Sequence, residues 1–161
     1  MFLFCCFTGL SYADLAKLNY EELKQTPDGA WWISSIRQKT KVAFTVKLLP
    51  VAKAILEKYR IPTNRFNRLF PGNPDRVFPV ASLKSSDDCL KQIARQRGIT
   101  KNLKFHMARH TFATMMLTLG ADLYTTSKLL GHADVKMTQV YAKIINQKKD
   151  EAVNLVYGLF D

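Results

Sequence analysis

Two apolar runs facing each other across four polar residues set the architecture of this chain. Residues 30–37 are rich in Trp and Ile and read as a β-strand. Residues 38–41 form a polar turn, and residues 42–48 return as a second strand. Asp28-Gly29 is a further hairpin turn signal. It adds a short, weaker strand at 20–24. Lys39 falls at the tip of the basic main hairpin, although a register slip of one residue would exchange which side chains point inward. The remainder reads as helix. Residues 2–7 are apolar and end in a Thr8-Gly9-Leu10 turn. Ser11 and Asp14 have the spacing of a capping box at the start of a helix over 12–17. Pro50 fits the first turn of a helix to residue 59. A loop holding Pro62, Pro71, Gly72, Pro74 and Pro79 follows. Ser86-Asp87-Asp88 opens a helix that stops before Gly98, and residues 105–119 form a long helix closed by Gly120. Asp122 caps the next, which stops at Gly131. Helices over 134–143 and 146–160 complete a mainly α chain with a small antiparallel β-sheet, an α+β fold.

The 161 residues suit one domain with a sizeable core. Lys and Arg number 24 against 13 acidic residues, a formal charge of +11, which points to a polyanionic partner, most commonly nucleic acid. Hydrophobic residues at 47% weigh against disordered and fibrous classes. Cys5, Cys6 and Cys89 give neither a disulfide framework nor a zinc pattern, and fit reduced thiols in the cytoplasm. The apolar start lacks a basic leader, a cleavage site and the length of a membrane span. It reads as a buried helix that begins abruptly, as in a piece of something longer.

Four residues draw attention next. His106 and Arg109, three apart, project from one helix face. His132 follows Leu129-Leu130-Gly131 at a helix end, and Tyr141 lies nine residues further on. Taken singly, each has an ordinary structural reading: a satisfied histidine, a helix C-cap, a core tyrosine. Taken together, His106-Met-Ala-Arg109-His110-Thr-Phe-Ala-Thr, Leu129-Leu130-Gly131-His132 and Thr138-Gln139-Val140-Tyr141-Ala142, with Thr8-Gly9-Leu10 upstream, closely resemble the signature of the tyrosine recombinase, or phage integrase, family. The resemblance covers almost the whole chain.

It implies the catalytic-domain fold of that family over residues 1–161, without the N-terminal domain that clamps the other side of DNA. It also implies site-specific DNA breakage and rejoining through a 3′-phosphotyrosine. Tyr141 would be the nucleophile and Arg109 a rigid fork of donors to the phosphate oxygens. His106 would accept the tyrosine proton or hold the phosphate. Lys39 would protonate the leaving 5′ oxygen, and His132 would donate to the phosphate. No metal or other cofactor is implied, since phosphoryl transfer rests on positioning and charge neutralisation. Double-stranded DNA would be the partner, held along its backbone by Arg37, Lys41, Lys91, Arg95, Arg97, Lys101 and Lys104. The full-length protein would act in the cytoplasm as a homotetramer on two duplexes, with no membrane role. One position departs from the family pattern: Ser11 stands where an arginine usually follows Thr-Gly-Leu, as in a branch of integrases carried by mobile elements of Bacteroidetes. Arg37, Lys17 and Arg76 are the cations that could replace it. Two other readings stay open: a DNA-binding relative that no longer cuts, and a type IB topoisomerase-like enzyme.

Overall fold

The computed structural model describes residues 1–59 and 75–141, together with Asn146 and Asn154. Helix α1 (Phe2–Thr8) ends at Gly9, whose left-handed φ of 67° lets its N–H return to the Cys5 carbonyl. Ser11 then caps α2 (Tyr12–Lys17) with the reciprocal Ser11–Asp14 box that the sequence suggests. Three antiparallel strands follow in the order β1 (Leu23–Gln25), β2 (Trp31–Ile36) and β3 (Ala43–Lys47). The register pairs Ile33 with Val46 and Ser35 with Phe44. This places Ile33, Phe44 and Val46 in the core and leaves Ile36 exposed. Helices α3 (Pro50–Tyr59), α4 (Leu83–Gln96), α5 (Met107–Thr118) and α6 (Leu123–Leu130) come next, and a 3-10 helix over Val135–Tyr141 completes the described fold. The architecture is mainly helical with a small three-stranded antiparallel sheet.

Three boundaries differ from the sequence reading. Tyr20–Glu22 is a 3-10 turn, so β1 starts only at Leu23. Helix α4 begins at Leu83 rather than near Ser86, because the Ser82 side chain accepts the Ser85 N–H and caps it earlier. Asp87, relieved of capping, accepts the Phe105 N–H at 2.7 Å and ties α4 to the entrance of α5. The segment after Asp134 is a 3-10 rather than an α-helix. Its half-buried or buried positions, Val135, Thr138 and Tyr141, recur every three residues, the period of the tighter coil. The expected helix over 146–160 and the loop from Pro62 to Pro74 lie outside the described residues, except that Asn146 and Asn154 are helical.

The core joins α1, α2 and the sheet's inner face to Val77 and Phe78. Phe4 and Phe78 meet edge to face at 5.0 Å, and Phe105 is met in the same way by Phe2 and Tyr12. Cys5 and Cys6 are buried free thiols within it, while Cys89 is exposed. Each fully buried Leu, Ile or Phe contributes about 1.5–3 kcal/mol relative to exposure. The core thus fixes the relative position of α1, α2 and β2, which carry half of the cleft described next. A smaller cluster of Phe112, Ala113 and Leu130 joins α5 to α6, and the Tyr141 ring packs against it. No helix among the described residues is long and apolar enough to cross a membrane.

Candidate active site

The Thr8-Gly9-Leu10 turn faces α5. At Gly9 a Cβ would lie 2.6 Å from the Phe112 ring, so only glycine admits this approach. Contact this close lets the Arg109 Nη1 donate to the Gly9 carbonyl at 2.8 Å. The Arg109 Nη2 donates to the Leu130 carbonyl at 2.6 Å. Helix α6 ends there, and its unpaired carbonyls carry the negative end of the helix dipole.

A second guanidinium sits on the preceding carbonyl. The Arg37 Nη2 donates to Leu129 at 3.1 Å, and Nη1 pairs with Asp14 at 2.8 Å. The Arg37 side chain is 3% exposed and stacks 3.6 Å above the Phe44 ring. Its Nε is buried without a hydrogen-bond partner among the described residues. Asp14 is held in turn by the Gln38 N–H at 2.9 Å and the Ser11 hydroxyl at 2.7 Å. Burial pushes the Asp14 carboxyl upward, but the Gln38 N–H, Arg37 and Ser11 outweigh it and keep it below the ordinary carboxylate value. Gly131, left-handed at φ 60°, closes α6 where a Cβ would come within 2.8 Å of the Arg37 chain.

Thr40, at the hairpin tip, donates to the Gly131 carbonyl at 3.2 Å. The turn is closed by the Lys41 N–H on the Arg37 carbonyl, with Lys41 at φ 57°. The tip carrying exposed Lys39 is thereby clasped to the turn carrying His132. The His132 Nδ1 lies 2.8 Å from the Thr138 hydroxyl of the 3-10 helix. Tyr141 ends that helix, and its hydroxyl lies 2.6 Å from the Nδ1 of His110. His110 stands edge-on to His106 at 4.7 Å.

These groups open onto one cleft of about 530 Å³, lined by Lys39, His106, Arg109, His132 and Tyr141 as well as Arg37 and His110. All five residues expected at the catalytic centre therefore meet in one place. Of the other cations near Lys39 in the sequence, Lys41 and Lys47 line no part of the cleft, whereas Arg37 lines it together with Lys39. Arg37 does not lie among surface cations as expected. It continues the inward face of β2, two residues beyond Ser35 and four beyond Ile33, so the alternation of the strand buries it. Lys41, Lys91, Arg95, Arg97, Lys101 and Lys104 are exposed and line no part of the cleft. Lys91 pairs with Asp88 at 3.2 Å. The sequence reading assigns no role to His110, and gives Asp14 only the capping box of α2. The i, i+4 spacing of His106 and His110 is the sign that could have found the first, and the spacing of a buried strand arginine the second.

Burial, with the crowding of cations, shapes the charges here. Burial and then Arg37 lower Arg109 to about 10, still cationic at neutral pH. Burial, followed by Arg109, Arg37 and His106, lowers His132 to about 4, so its ring is neutral. Burial and then His110, Arg109 and Lys39 hold His106 below its usual value. Burial raises the Tyr141 phenol, against a smaller opposing pull from Arg109. An anion in the cleft would meet two guanidiniums and neutral imidazole donors, with a protonated phenol beside them. Among the described residues no three His, Cys, Asp or Glu side chains gather as a metal-holding group.

A family model described as the phage integrase family matches residues 1–148. The chain is 49% identical over 66 residues to the tyrosine recombinase XerC of Lacticaseibacillus casei, covering 41% of this chain and 22% of that protein. To the tyrosine recombinase XerD of Listeria monocytogenes it is 49% identical over 55 residues, 34% of this chain and 18% of that one. It thus spans about a fifth of the length of these curated relatives. Among solved structures it resembles the XerH site-specific recombinase bound to palindromic difH substrate in a post-cleavage complex. The TM-score is 0.72 at 22% identity, covering 97% of this chain and 44% of that one. The catalytic domain of bacteriophage HP1 integrase gives a TM-score of 0.62 at 20% identity, with 95% and 79% covered. These two likenesses concern the fold, while the family match rests on the sequence from its first residue to the 148th. The chain belongs to the phage integrase family.

Proposed function

We propose that residues 1–161 are the catalytic unit of a site-specific DNA recombinase that breaks and rejoins DNA through a 3′-phosphotyrosine at Tyr141. The observation that carries this reading is the gathering of a phenol, two guanidiniums, three imidazoles and Lys39 around one cleft. A phosphodiester repels nucleophiles through its anionic oxygens, and an enzyme lowers that barrier chiefly by fixed countercharge. Arg109 supplies one such charge. Arg37 supplies the one that Ser11 lacks, reaching the cleft from β2 instead of from the start of α2. Its place in the lining of the cleft and its seat beside Arg109 at the end of α6 support that role. His106 holds a phosphate oxygen. His132 donates from Nε2 once the Thr138 hydroxyl occupies Nδ1. Lys39 gives its proton to the departing 5′ oxygen, so the broken linkage is stored as a covalent bond that a second strand can attack.

The exposed Lys41, Lys91, Arg95, Arg97, Lys101 and Lys104 contact backbone phosphates of double-stranded DNA. Each contact steepens binding by about 0.9 log units per log unit of salt. The full-length protein works in the cytoplasm on the nucleoid, as a tetramer bridging two duplexes. A nicked suicide DNA substrate tests the central claim. The full-length protein is expected to form a covalent adduct that Tyr141→Phe cannot form. An adduct of equal yield in that variant, or none in the parent, sinks the reading. Joining between two duplexes, in place of supercoil relaxation, separates a recombinase from a topoisomerase.

A further inference from the structure

The residue that touches the nucleophile is His110, to which the sequence motif assigns no part. Its Nδ1 lies 2.6 Å from the Tyr141 hydroxyl, at the short end of the hydrogen-bond range. Among the described residues, no other group is seen to hydrogen-bond that phenol. His106 does not reach it: its ring meets His110 instead, nearly perpendicular at 4.7 Å. The two rings stand one helical turn apart at the entrance of α5, so a common face presents both to the cleft. Several groups surround this pair. Arg109 lies on the same helix, Lys39 reaches in from the hairpin tip, and His132 and Arg37 stand at the end of α6.

Resting on the strand-transfer reading above, we propose that His110 is a catalytic residue, the base that takes the Tyr141 proton, and that His106 is thereby left to the phosphate. The Tyr141 O–H bond breaks, its proton passes to His110 Nδ1, and the bonding pair stays on the phenolate oxygen. That oxygen bonds to phosphorus. The P–O bond on the 5′ side breaks with its electron pair, and the departing oxygen takes a proton from the Lys39 ammonium. Rejoining runs in reverse: Lys39 recovers a proton from the attacking 5′ hydroxyl, and His110 returns its own to the phenol. A base in contact answers a definite need, because burial makes this phenol harder to ionise than a free one.

The test uses the full-length protein on the suicide substrate, with Tyr141 replaced in a second series by a tetrafluorotyrosine whose phenol ionises near neutral pH. His110→Gln is expected to slow adduct formation at pH 7 by about 10²-fold or more, the usual yield of general-base catalysis. His110 is exposed, so the variant should keep the parent's thermal melt. Two further results are expected: the deficit shrinks as pH rises, and it largely disappears in the fluorotyrosine series. A deficit that persists unchanged with the acidic phenol overturns the role as base. So does a variant that cuts as fast as the parent, or faster, since His110 would then only park the tyrosine. A parent that forms no Tyr141-dependent adduct overturns the strand-transfer reading and this role with it, an outcome distinct from an active parent indifferent to His110.

Discussion

The two walls of the cleft are built in opposite ways. On the guanidinium wall, Arg37 and Arg109 are each fixed by two hydrogen bonds to groups that cannot move without disturbing the core: Asp14, Gly9 and the last carbonyls of α6. The wall formed by His106, His110 and Tyr141 is half-buried or exposed, and among the described residues a single hydrogen bond orients the phenol. The contrast separates two roles. Countercharge is most effective when held rigid before the anion arrives, because no reorganisation is then needed during the reaction. A nucleophile has no such requirement until it attacks, and a short 3-10 segment packed on the end of α6 can hold it.

That contrast can be broken first at Asp14. Asp14→Ala leaves a buried guanidinium unpaired and is expected to cost about 3–5 kcal/mol in a urea denaturation. A loss below about 1 kcal/mol would mean that the wall is not rigidly anchored. Next in size is Arg37→Lys, which keeps the charge but loses the planar fork that spans Asp14 and Leu129. Adduct formation is expected to fall by about 10²–10³-fold, on the order of 2.7–4 kcal/mol. If it instead matches the parent in single-turnover assays, Arg37 is a core residue with no share in the reaction.

Smaller effects probe the other wall. Thr138→Val removes the partner of His132 Nδ1 and is expected to cost about 1 kcal/mol of adduct-forming free energy, with little change in melting temperature. The smallest is a pH effect on stability without DNA. In the fold His132 resists its proton down to about pH 4, whereas the unfolded chain accepts it near 6.5. The unfolded state therefore binds more protons between those values, and stability falls as pH is lowered from about 6.5 towards 4. His106, shifted in the same direction, adds to the slope. Melts of His132→Gln across that window should show a shallower fall, and an unchanged slope would place the lost protons elsewhere.

Much of this arrangement is legible in the sequence because its determinants are local. The Ser11–Asp14 box, the glycine ends of α1 and α6 and the hairpin turn are each decided by a few consecutive residues. The positions of His106, Arg109, His132 and Tyr141 follow from spacing and family likeness. Charge misplaces Arg37 when it is given more weight than strand alternation: β2 exposes Ile36 at 56% and buries the arginine beside it. That inversion is sustainable only because Asp14, Phe44 and an α6 carbonyl converge on one side chain, and these lie far apart in the chain. His110 stands in the matching run but receives no role, because the motif gives one to His106 and Arg109 and none to the residue that follows them.

The 3-10 winding of Val135–Tyr141 has a geometric consequence. At three residues per turn each step rotates the chain by about 120°, against about 100° in an α-helix. Over the six steps from Val135 to Tyr141, rewinding to the looser coil would swing the phenol about 120° around the axis and draw it back by roughly 3 Å. A change of pitch in one short coil is thus enough to aim the attacking oxygen at the cleft or turn it aside, while both arginines stay where the core has put them.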